Sequence, residues 1–220
     1  MRIVSVNVGG LSELLDRRGR PYLSGIYKSP VTGAVNATFS GLVGDAQGNQ
    51  KVHGGPDNAV YAYSADHYAA WRREEEREDL PPGFFGENLT IAALHERDVN
   101  IGDIFRAGAA LLEVSQPRLP CDTMGIRFGD KTFPDRFLKS RRTGMYLRVL
   151  KEGAVQAGDE FHRERAGSVP LTEAVEIIEG DAGTLLALRR LAAEAALSKR
   201  WRAKVDKKLA ALAAPTAAAE

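Results

Sequence analysis

The only cysteine of the chain, Cys121, ends the segment Ser115-Gln-Pro-Arg-Leu-Pro-Cys121. Two prolines restrict the backbone ahead of the thiol, so this stretch is expected to leave a strand and form a rigid loop that continues past the cysteine. Arg118 precedes the thiol by three residues and Arg127 follows it by six, and a fold that brings them close would favour the thiolate. A thiolate can act as a nucleophile or as a metal ligand.

A histidine-containing loop, His53-Gly-Gly-Pro-Asp57, is the second candidate. A cysteine hydrolase would have to find its base among four histidines: His53, His67, His95 and His162. Among these, His53 precedes a glycine pair, and glycines let the backbone approach a ligand closely. The composition is typical of a binding loop. A tight turn capped by His53 is the alternative, because the segment matches no phosphate-loop pattern.

Two further polar candidates lie near turn-forming residues. In Phe84-Phe-Gly-Glu-Asn88, Gly86 is expected to adopt a conformation closed to other residues, which would project Glu87 and Asn88 beside two aromatic rings. An amide such as Asn88 can donate to and accept from a heterocycle. Lys28, in Gly25-Ile-Tyr-Lys-Ser-Pro30, is an isolated cation before a turn, and alone it would be an ordinary surface lysine.

The composition limits the chemistry that these residues can perform. With 220 residues, 44% of them hydrophobic, the chain can bury a sizeable core in one or two domains. The formal net charge of +1 provides no global field toward nucleic acid or acidic membranes. A single cysteine excludes an internal disulfide, a cysteine zinc finger and an iron–sulfur cluster held by this chain.

From Met1 to about Arg165, glycines and prolines separate short apolar segments, a pattern that indicates β-structure. The clearest predicted strands are Arg2–Val8, Ala59–Tyr63, Leu89–Ile91, Ala110–Gln116 and Met145–Leu150. Gly-Asp turns ahead of Phe105 and Phe161 suit a barrel or a strongly bent sheet. The amino-terminal segment lacks the apolar run of a signal peptide or membrane helix, so we expect a cytoplasmic protein without membrane association.

Helical spacing appears once inside this region, with Ser64 as the expected N-cap and Tyr68 and Trp71 on one face. After about Ala166 the chain becomes rich in alanine and leucine, and three apolar stripes predict three helices. The stripes are Leu171, Ala174, Val175 and Ile178; Leu185, Leu188, Leu191, Ala192 and Ala195; and Trp201, Val205, Leu209 and Leu212. We therefore predict a β-domain at 1–165, a three-helix domain at 166–214 and a frayed tail at 215–220.

The last predicted helix carries six basic side chains between Lys199 and Lys208. A compact three-helix unit with a basic last helix can enter a DNA groove in principle. The segment has no helix-turn-helix signature, and charges of this kind ordinarily solvate a helix face. We therefore expect no nucleic-acid binding at physiological salt, and docking of a partner protein or of the β-domain is the preferred role.

The motifs taken together resemble the bacterial YiiM-type MOSC proteins, and they occur in the same order along the chain. They are Gly41-Leu-Val-Gly-Asp45, His53-Gly-Gly-Pro-Asp57 with Ala59–Tyr63, Phe85-Gly-Glu-Asn-Leu89, Ser115-Gln-Pro-Arg118 with Pro120-Cys121, and Gly144 to Leu150. The resemblance covers nearly the whole chain, the helical carboxyl-terminal part included. It implies a mainly β fold, a MOSC-type β-barrel with peripheral helices, followed by a C-terminal three-helix domain.

The resemblance also implies a molybdenum cofactor of the molybdopterin type, with Cys121 as the metal ligand. Because the pterin brings its own dithiolene sulfurs, one protein thiolate is sufficient. Many relatives carry an aromatic residue directly after this cysteine, where this chain has Asp122, so the local shape of the pocket is expected to differ.

The same resemblance implies roles for the other candidates. Lys28, Arg118 and Arg127 are expected to bind the phosphate of the cofactor, because a dianion needs localised cations even in a near-neutral protein. His53 and Asn88 are expected to contact the pterin or the substrate. Cys121 and His53 are the expected catalytic residues.

Proteins of this type, and the related mitochondrial amidoxime-reducing component, are associated with reduction of N-hydroxylated compounds such as hydroxylamino-purines. The resemblance thus implies an oxidoreductase with a small N-hydroxylated substrate. The sequence shows no flavin or nicotinamide loop, so a separate flavoprotein or ferredoxin-like electron donor is expected. A carrier that holds cofactor or persulfide sulfur on Cys121 without turnover is the alternative. The oligomeric state stays open, a homodimer included.

Overall fold

A computed structural model describes residues 1–48, 54–180 and 184–213, so the predicted site residue His53 lies outside the described residues. The strands are β1 (Arg2–Val8), β2 (Ser12–Leu15), β3 (Pro21–Ser24), β4 (Ser29–Pro30), β5 (Val35–Thr38), β6 (Gly41–Leu42), β7 (Val60–Ser64), β8 (Leu89–Ala92), β9 (Asn100–Ile101), β10 (Ile104–Ala107), β11 (Ala110–Pro117), β12 (Met145–Lys151), β13 (Gly153–Val155), β14 (Phe161–Arg165) and β15 (Val169–Pro170). The α-helices described are α1 (His67–Glu74), α2 (Asp122–Phe128), α3 (Phe133–Lys139), α4 (Leu171–Glu179), α5 (Leu185–Ala193) and α6 (Lys199–Ala213). Short 3₁₀ turns occur at Pro56–Asn58 and Glu96–Asp98.

An eight-stranded sheet forms the centre of the fold, in the order β14-β10-β11-β12-β7-β8-β1-β4. Its neighbours are antiparallel except for β7 and β8, which run parallel and are joined through α1. The smaller sheets are β13-β5-β6, β15-β9 and β2-β3. The five strands predicted from the sequence are confirmed, each with ends within one residue of the prediction. The described residues therefore form a mixed, sheet-rich fold that also contains six α-helices.

The closed barrel that the resemblance implies is not confirmed, because the strand order runs from β14 to β4 without returning. The sheet nevertheless bends until β1 lies beside the start of β14. The Ile3 amide donates to the Asp159 carbonyl at 3.0 Å, and the Phe161 amide donates to the Met1 carbonyl at 3.0 Å. One isolated bridge, between Arg2 and Glu160, joins these segments.

Strand β7 separates two hydrophobic cores. Val60 and Ala62 belong to a core that includes much of the sheet and the apolar faces of α4, α5 and α6. Tyr61 and Tyr63 belong to a second, aromatic core that contains side chains of α1, α2 and α3. Because successive strand residues point to opposite faces, the two cores lie on opposite sides of β7. All five residues of β7 are accordingly buried.

The segment after Cys121 is a helix, which corrects the predicted loop. The loop itself is confined to residues 118–121, and α2 begins at Asp122. Phe128, together with Phe133 and Phe137 of α3, is buried in the aromatic core. The packing of these rings in the aromatic core stabilises the two short helices. Such packing involves residues distant in sequence, so local sequence patterns do not predict it. In α1 the N-cap is Asp66, while the predicted cap Ser64 ends β7.

The three helices predicted after residue 166 are present as α4, α5 and α6. Their central apolar residues are buried, whereas Leu185, Ala195 and Leu212 at the ends of the predicted stripes are exposed. The helices share a continuous core with the sheet. A domain boundary near residue 165 stays a prediction. Within the described ranges, no helix is long and apolar enough to cross a membrane.

Candidate functional site

A cavity of about 210 Å³ is lined by four of the six predicted site residues: Lys28, Asn88, Arg118 and Cys121. Its other lining residues come from β3, the segment around Asp45 and the turn at Phe85–Gly86, together with the strands β7 and β12. Gly86 has a φ of +81°, which confirms the unusual backbone predicted there. A Cβ at this position would meet the Ile26 side chain at 3.3 Å, so glycine keeps this turn close to the cavity wall.

Cys121 is positioned by the end of β11 and the start of α2. The Arg118 amide donates to the Gly144 carbonyl at 3.2 Å, which holds the loop against the neighbouring chain. Cys121 is the N-cap residue of α2 with extended backbone, and its carbonyl accepts from the Met124 amide at 2.9 Å. The thiol is partly exposed and lies in the cavity wall. The geometry therefore presents one thiol from a fixed loop.

Arg118 is 4% exposed and lies over two aromatic rings, 5.2 Å from the centre of Tyr61 and 5.4 Å from that of Phe137. One nitrogen, Nη1, donates to the Met124 sulfur at 3.3 Å, a weak acceptor. The Nε atom is buried without a hydrogen-bond partner in the described structure. A buried guanidinium with an unused donor is suited to an anionic or strongly accepting ligand.

Lys28 is buried rather than a surface lysine, and Asp45 neutralises it. Its Nζ donates to Asp45 Oδ1, and the two side chains are 7% and 4% exposed. The Gly9 amide donates to the same oxygen at 3.0 Å. Burial lowers the pKa of Lys28, and Asp45 acts in the opposite direction. Asp45 belongs to the Gly44-Asp45 motif but was not predicted as a site residue.

Both polar atoms of the Asn88 side chain already bond to the protein. Its Oδ1 accepts from the Tyr61 amide at 3.0 Å, and its Nδ2 donates to Asp45 Oδ2 at 2.9 Å and to the Asn7 carbonyl at 3.2 Å. The amide therefore joins β7 to the Lys28–Asp45 pair. Its predicted contact with a ligand stays a prediction.

Arg127, a predicted phosphate ligand, does not line this cavity. Its Nε donates to the Phe84 carbonyl at 3.2 Å, and its guanidinium lies 4.1 Å from the centre of the Phe84 ring and 4.6 Å from that of Tyr27. The reason is the helix that the sequence did not predict: six helical residues carry Arg127 about 9 Å along the axis from Cys121. Arg127 is therefore close to Cys121 in sequence but does not line the cavity with it.

The wall residues that the sequence analysis did not predict include Asn58, Tyr61 and Tyr146. Burial raises the pKa of Tyr146, and the neighbouring Arg118 acts in the opposite direction. Asn58 is 8% exposed, and its Nδ2 donates to the Gly54 carbonyl at 3.2 Å. Its Oδ1 is buried, with no hydrogen-bond partner among residues 1–48, 54–180 and 184–213. The glycine-rich motif just before Asn58 was the available signal.

Asp57, from the same motif, has a structural role. Its Oδ1 accepts from Arg148 Nε at 2.9 Å and Nη2 at 2.5 Å, while its Oδ2 accepts from the Lys199 amide at 2.9 Å. Arg148 also donates to Glu113 Oε2 at 2.7 Å. Asp57 thus connects the 3₁₀ turn, the sheet and the first turn of α6.

Comparison with known proteins places the chain in a family. The MOSC domain model matches residues 49–162. The uncharacterized protein YflK of Bacillus subtilis is 39% identical over 208 residues, covering 94% of this chain and 93% of YflK. Protein YiiM of Escherichia coli is 37% identical, covering 86% of this chain and 85% of YiiM. The chain belongs to the MOSC family.

Solved structures agree with that placement. The crystal structure of YiiM from Geobacillus stearothermophilus superposes with a TM-score of 0.80 at 31% identity, covering 94% of this chain and 98% of that one.

A further sequence relative, a protein named reductase from Gibberella moniliformis, is 40% identical over 144 residues, which is 64% of this chain and 26% of that protein. Within its family, the chain is thus similar to YiiM along most of its length.

Proposed function

We propose that the protein binds a molybdenum cofactor of the molybdopterin type in the cavity at Cys121 and reduces small N-hydroxylated compounds of the hydroxylaminopurine type. The observation that carries this proposal is the joint presence of Cys121 and Arg118, with its unused buried donor, in one cavity wall. The similarity to a protein named reductase supports the reaction class.

The side chains present fit such a group. A molybdopterin-type cofactor brings a phosphate, a heterocycle and its own sulfur ligands, so the protein has to add one soft thiolate, and Cys121 supplies it. Arg118 Nε has no acceptor in the described structure, and a phosphate or carbonyl oxygen would satisfy it. Lys28 contributes through its pair with Asp45, which keeps the local charge close to neutral.

The bound cofactor would supply a metal able to exchange two electrons with the substrate. With two electrons and two protons, an N-hydroxyl compound gives the amine and one water. The role of this chain is to hold the thiolate on the fixed loop 118–121, to shield the site with the aromatic core and to orient the ligand through Arg118. The electrons would come from a separate flavoprotein or ferredoxin-like donor, which stays part of the proposal.

The metal content of the purified protein tests the ligand role of Cys121. Wild type and Cys121→Ala are purified from a host that makes the cofactor, with Cys121→Ser as a control of similar size. We expect the molybdenum bound per chain to fall about tenfold or more in Cys121→Ala, because loss of even an outer-shell partner of a metal ligand typically costs that much affinity. Equal molybdenum in wild type and Cys121→Ala, both folded, would remove Cys121 from the ligand role.

Turnover separates a reductase from a carrier. The loaded wild type, given an artificial electron donor and a hydroxylaminopurine, should convert many equivalents of substrate per chain. A carrier of cofactor or sulfur would release its cargo to an acceptor but give no such turnover. Full molybdenum content without turnover would therefore favour the carrier alternative.

A further inference from the structure

A second cavity, of about 640 Å³, lies on another side of Cys121. It is formed by the Cys121 loop, by α3 with the turn before it, and by α6. Asn58, Cys121 and Tyr146 belong to the walls of both cavities. The residues suited to the cofactor, Lys28 and Arg118, line the first cavity and are absent from the wall of the second. The thiol is therefore bordered by a second space that a ligand in the first cavity would leave open.

The wall of the second cavity carries charges of both signs. Arg17 and Asp122 form an ion pair at 2.5 Å, and Lys204 and Glu179 form another at 2.9 Å. The remaining charged groups in this wall are again mixed: Lys131, Arg200 and Asp135. Apolar residues such as Leu138 and Trp201 also line this cavity. A mixed wall with largely compensating charges suits an uncharged heterocycle that makes hydrogen bonds more than a strongly anionic molecule.

Asn58 provides a specific acceptor where the cavities meet. Its side-chain Nδ2 is fixed by the Gly54 carbonyl at 3.2 Å, which orients the amide. Its Oδ1 is buried and has no hydrogen-bond partner among the described residues. A buried acceptor left unsatisfied costs free energy, so a ligand O–H or N–H that reached it would be bound selectively.

We propose that the second cavity is the substrate entrance, and that Asn58 Oδ1 accepts a hydrogen bond from the hydroxylamino group of an uncharged N-hydroxylated heterocycle beside Cys121. This inference rests on the proposed function for the identity of the substrate. It assigns the first cavity to the cofactor and the second to the substrate. Asn58 acts as a positioning residue, because it holds the reacting group without exchanging a proton or electrons with it.

Three leucine-to-tryptophan variants test the entrance. Leu138 lines the second cavity, Leu23 lines the first, and Leu186, 80% exposed on α5, lines neither. In cofactor-free protein, iodoacetamide alkylates Cys121, the only cysteine, and intact mass gives the rate. Hydroxylaminopurine should slow alkylation in wild type and in Leu186→Trp but not in Leu138→Trp. Asp135→Trp, an exposed position in the same wall, replaces Leu138→Trp if that variant does not fold.

Loaded protein provides the second readout. Leu138→Trp should raise KM for hydroxylaminopurine about tenfold or more at unchanged molybdenum content, because poorly accommodated groups in a pocket cost at least that much. Leu23→Trp should lower the molybdenum content instead. The inference is overturned if protection by the purine is absent in wild type, if it survives in Leu138→Trp, or if only Leu23→Trp abolishes it. Absence of turnover in every loaded variant would refute the reductase proposal, whereas the alkylation result would still decide the entrance.

Asn58 is tested by an acceptor series. Asn58→Leu should raise KM about tenfold with kcat little changed, as expected for loss of one ligand hydrogen bond. Asn58→Asp keeps an oxygen acceptor and should recover part of the loss, with molybdenum content as the control for an intact first cavity. Equal KM values in wild type and Asn58→Leu would remove Asn58 from substrate binding.

Discussion

Two groups of partly or fully buried polar side chains, both contributed by motifs visible in the sequence, differ in how completely their hydrogen bonds are made. Around Asp57, both carboxylate oxygens have partners, and Arg148 donates to Asp57 and to Glu113. In the wall of the first cavity, Arg118 Nε and Asn58 Oδ1 have no hydrogen-bond partner among the described residues. Within this part of the chain the first group is complete and the second is not.

This difference separates structural from functional polarity. A satisfied ion pair joins elements of the fold, here the sheet and α6. Removal of one partner lowers the free energy of unfolding of the protein. A buried polar atom without a partner lowers stability unless something outside the chain completes it. Arg118 and Asn58 line the first cavity, whereas the Asp57 carboxylate contacts Arg148 and the α6 backbone. This difference supports the ligand-binding role that we propose for the cavity at Arg118.

The largest expected effect is at Arg148. Arg148→Met should lower the free energy of unfolding by about 3 kcal/mol, because it leaves Asp57 and Glu113 partly buried without their main counter-charge. Urea unfolding measures the change. Arg106→Met is the matched control, since Arg106 pairs with Glu164 at an exposed position on β10 and should cost about 1 kcal/mol or less. Equal losses in the two variants would contradict the structural role of Arg148.

Glu87 combines both situations in one carboxyl group. Its Oε1 accepts from the Tyr68 hydroxyl at 2.5 Å, the Gly83 amide at 2.8 Å and the Thr90 hydroxyl at 2.7 Å. Its buried Oε2 has no hydrogen-bond partner in the part of the chain that the structure describes. Burial raises the pKa of Glu87 above its ordinary value of 4.5. The folded state then keeps the proton to higher pH than the unfolded state. The free energy of unfolding should therefore fall as pH rises from 4.5 through the raised pKa.

Glu87→Gln removes this proton and keeps the shape of the side chain. Wild type should lose stability with a slope of up to about 1.4 kcal/mol per pH unit inside the window, and the variant should show a flatter profile. Unfolding by urea at several pH values between about 4 and 8 measures both. Parallel profiles would show that Glu87 titrates alike in the folded and unfolded states.

The smallest expected change in stability is at Arg118, and it is the sharpest test of the comparison. Arg118→Met should leave the free energy of unfolding within about 1 kcal/mol of wild type, because an apolar side chain of similar size also removes the desolvation cost of the buried charge. The same variant should lower the molybdenum content. A loss of stability as large as in Arg148→Met would show that the protein itself satisfies Arg118, and the comparison would fail.

Local patterns were sufficient for much of the fold. The five predicted strands and the three carboxyl-terminal helices were found, because period-two and helical spacing of apolar residues directly reflect which face is buried. The helices α2 and α3 were missed because their stability depends on aromatic side chains packing against distant Tyr63 and Trp71. The two Gly-Asp turns predicted a barrel or a strongly bent sheet, and the closed barrel implied by the resemblance was not confirmed.

By itself, the sequence determined that this protein has one thiol, that the thiol follows a proline-restricted loop, and that its motifs are those of the MOSC family. Only the tertiary structure decided which polar groups accompany that thiol. In the folded protein, Lys28 is buried against Asp45, and the side-chain amide of Asn88 is hydrogen-bonded to the protein. Arg127 lies along α2 outside the cavity, and Asn58 lies in the cavity wall with Cys121. The physical reason is that hydrogen-bond satisfaction depends on partners distant in sequence, which residue spacing does not encode.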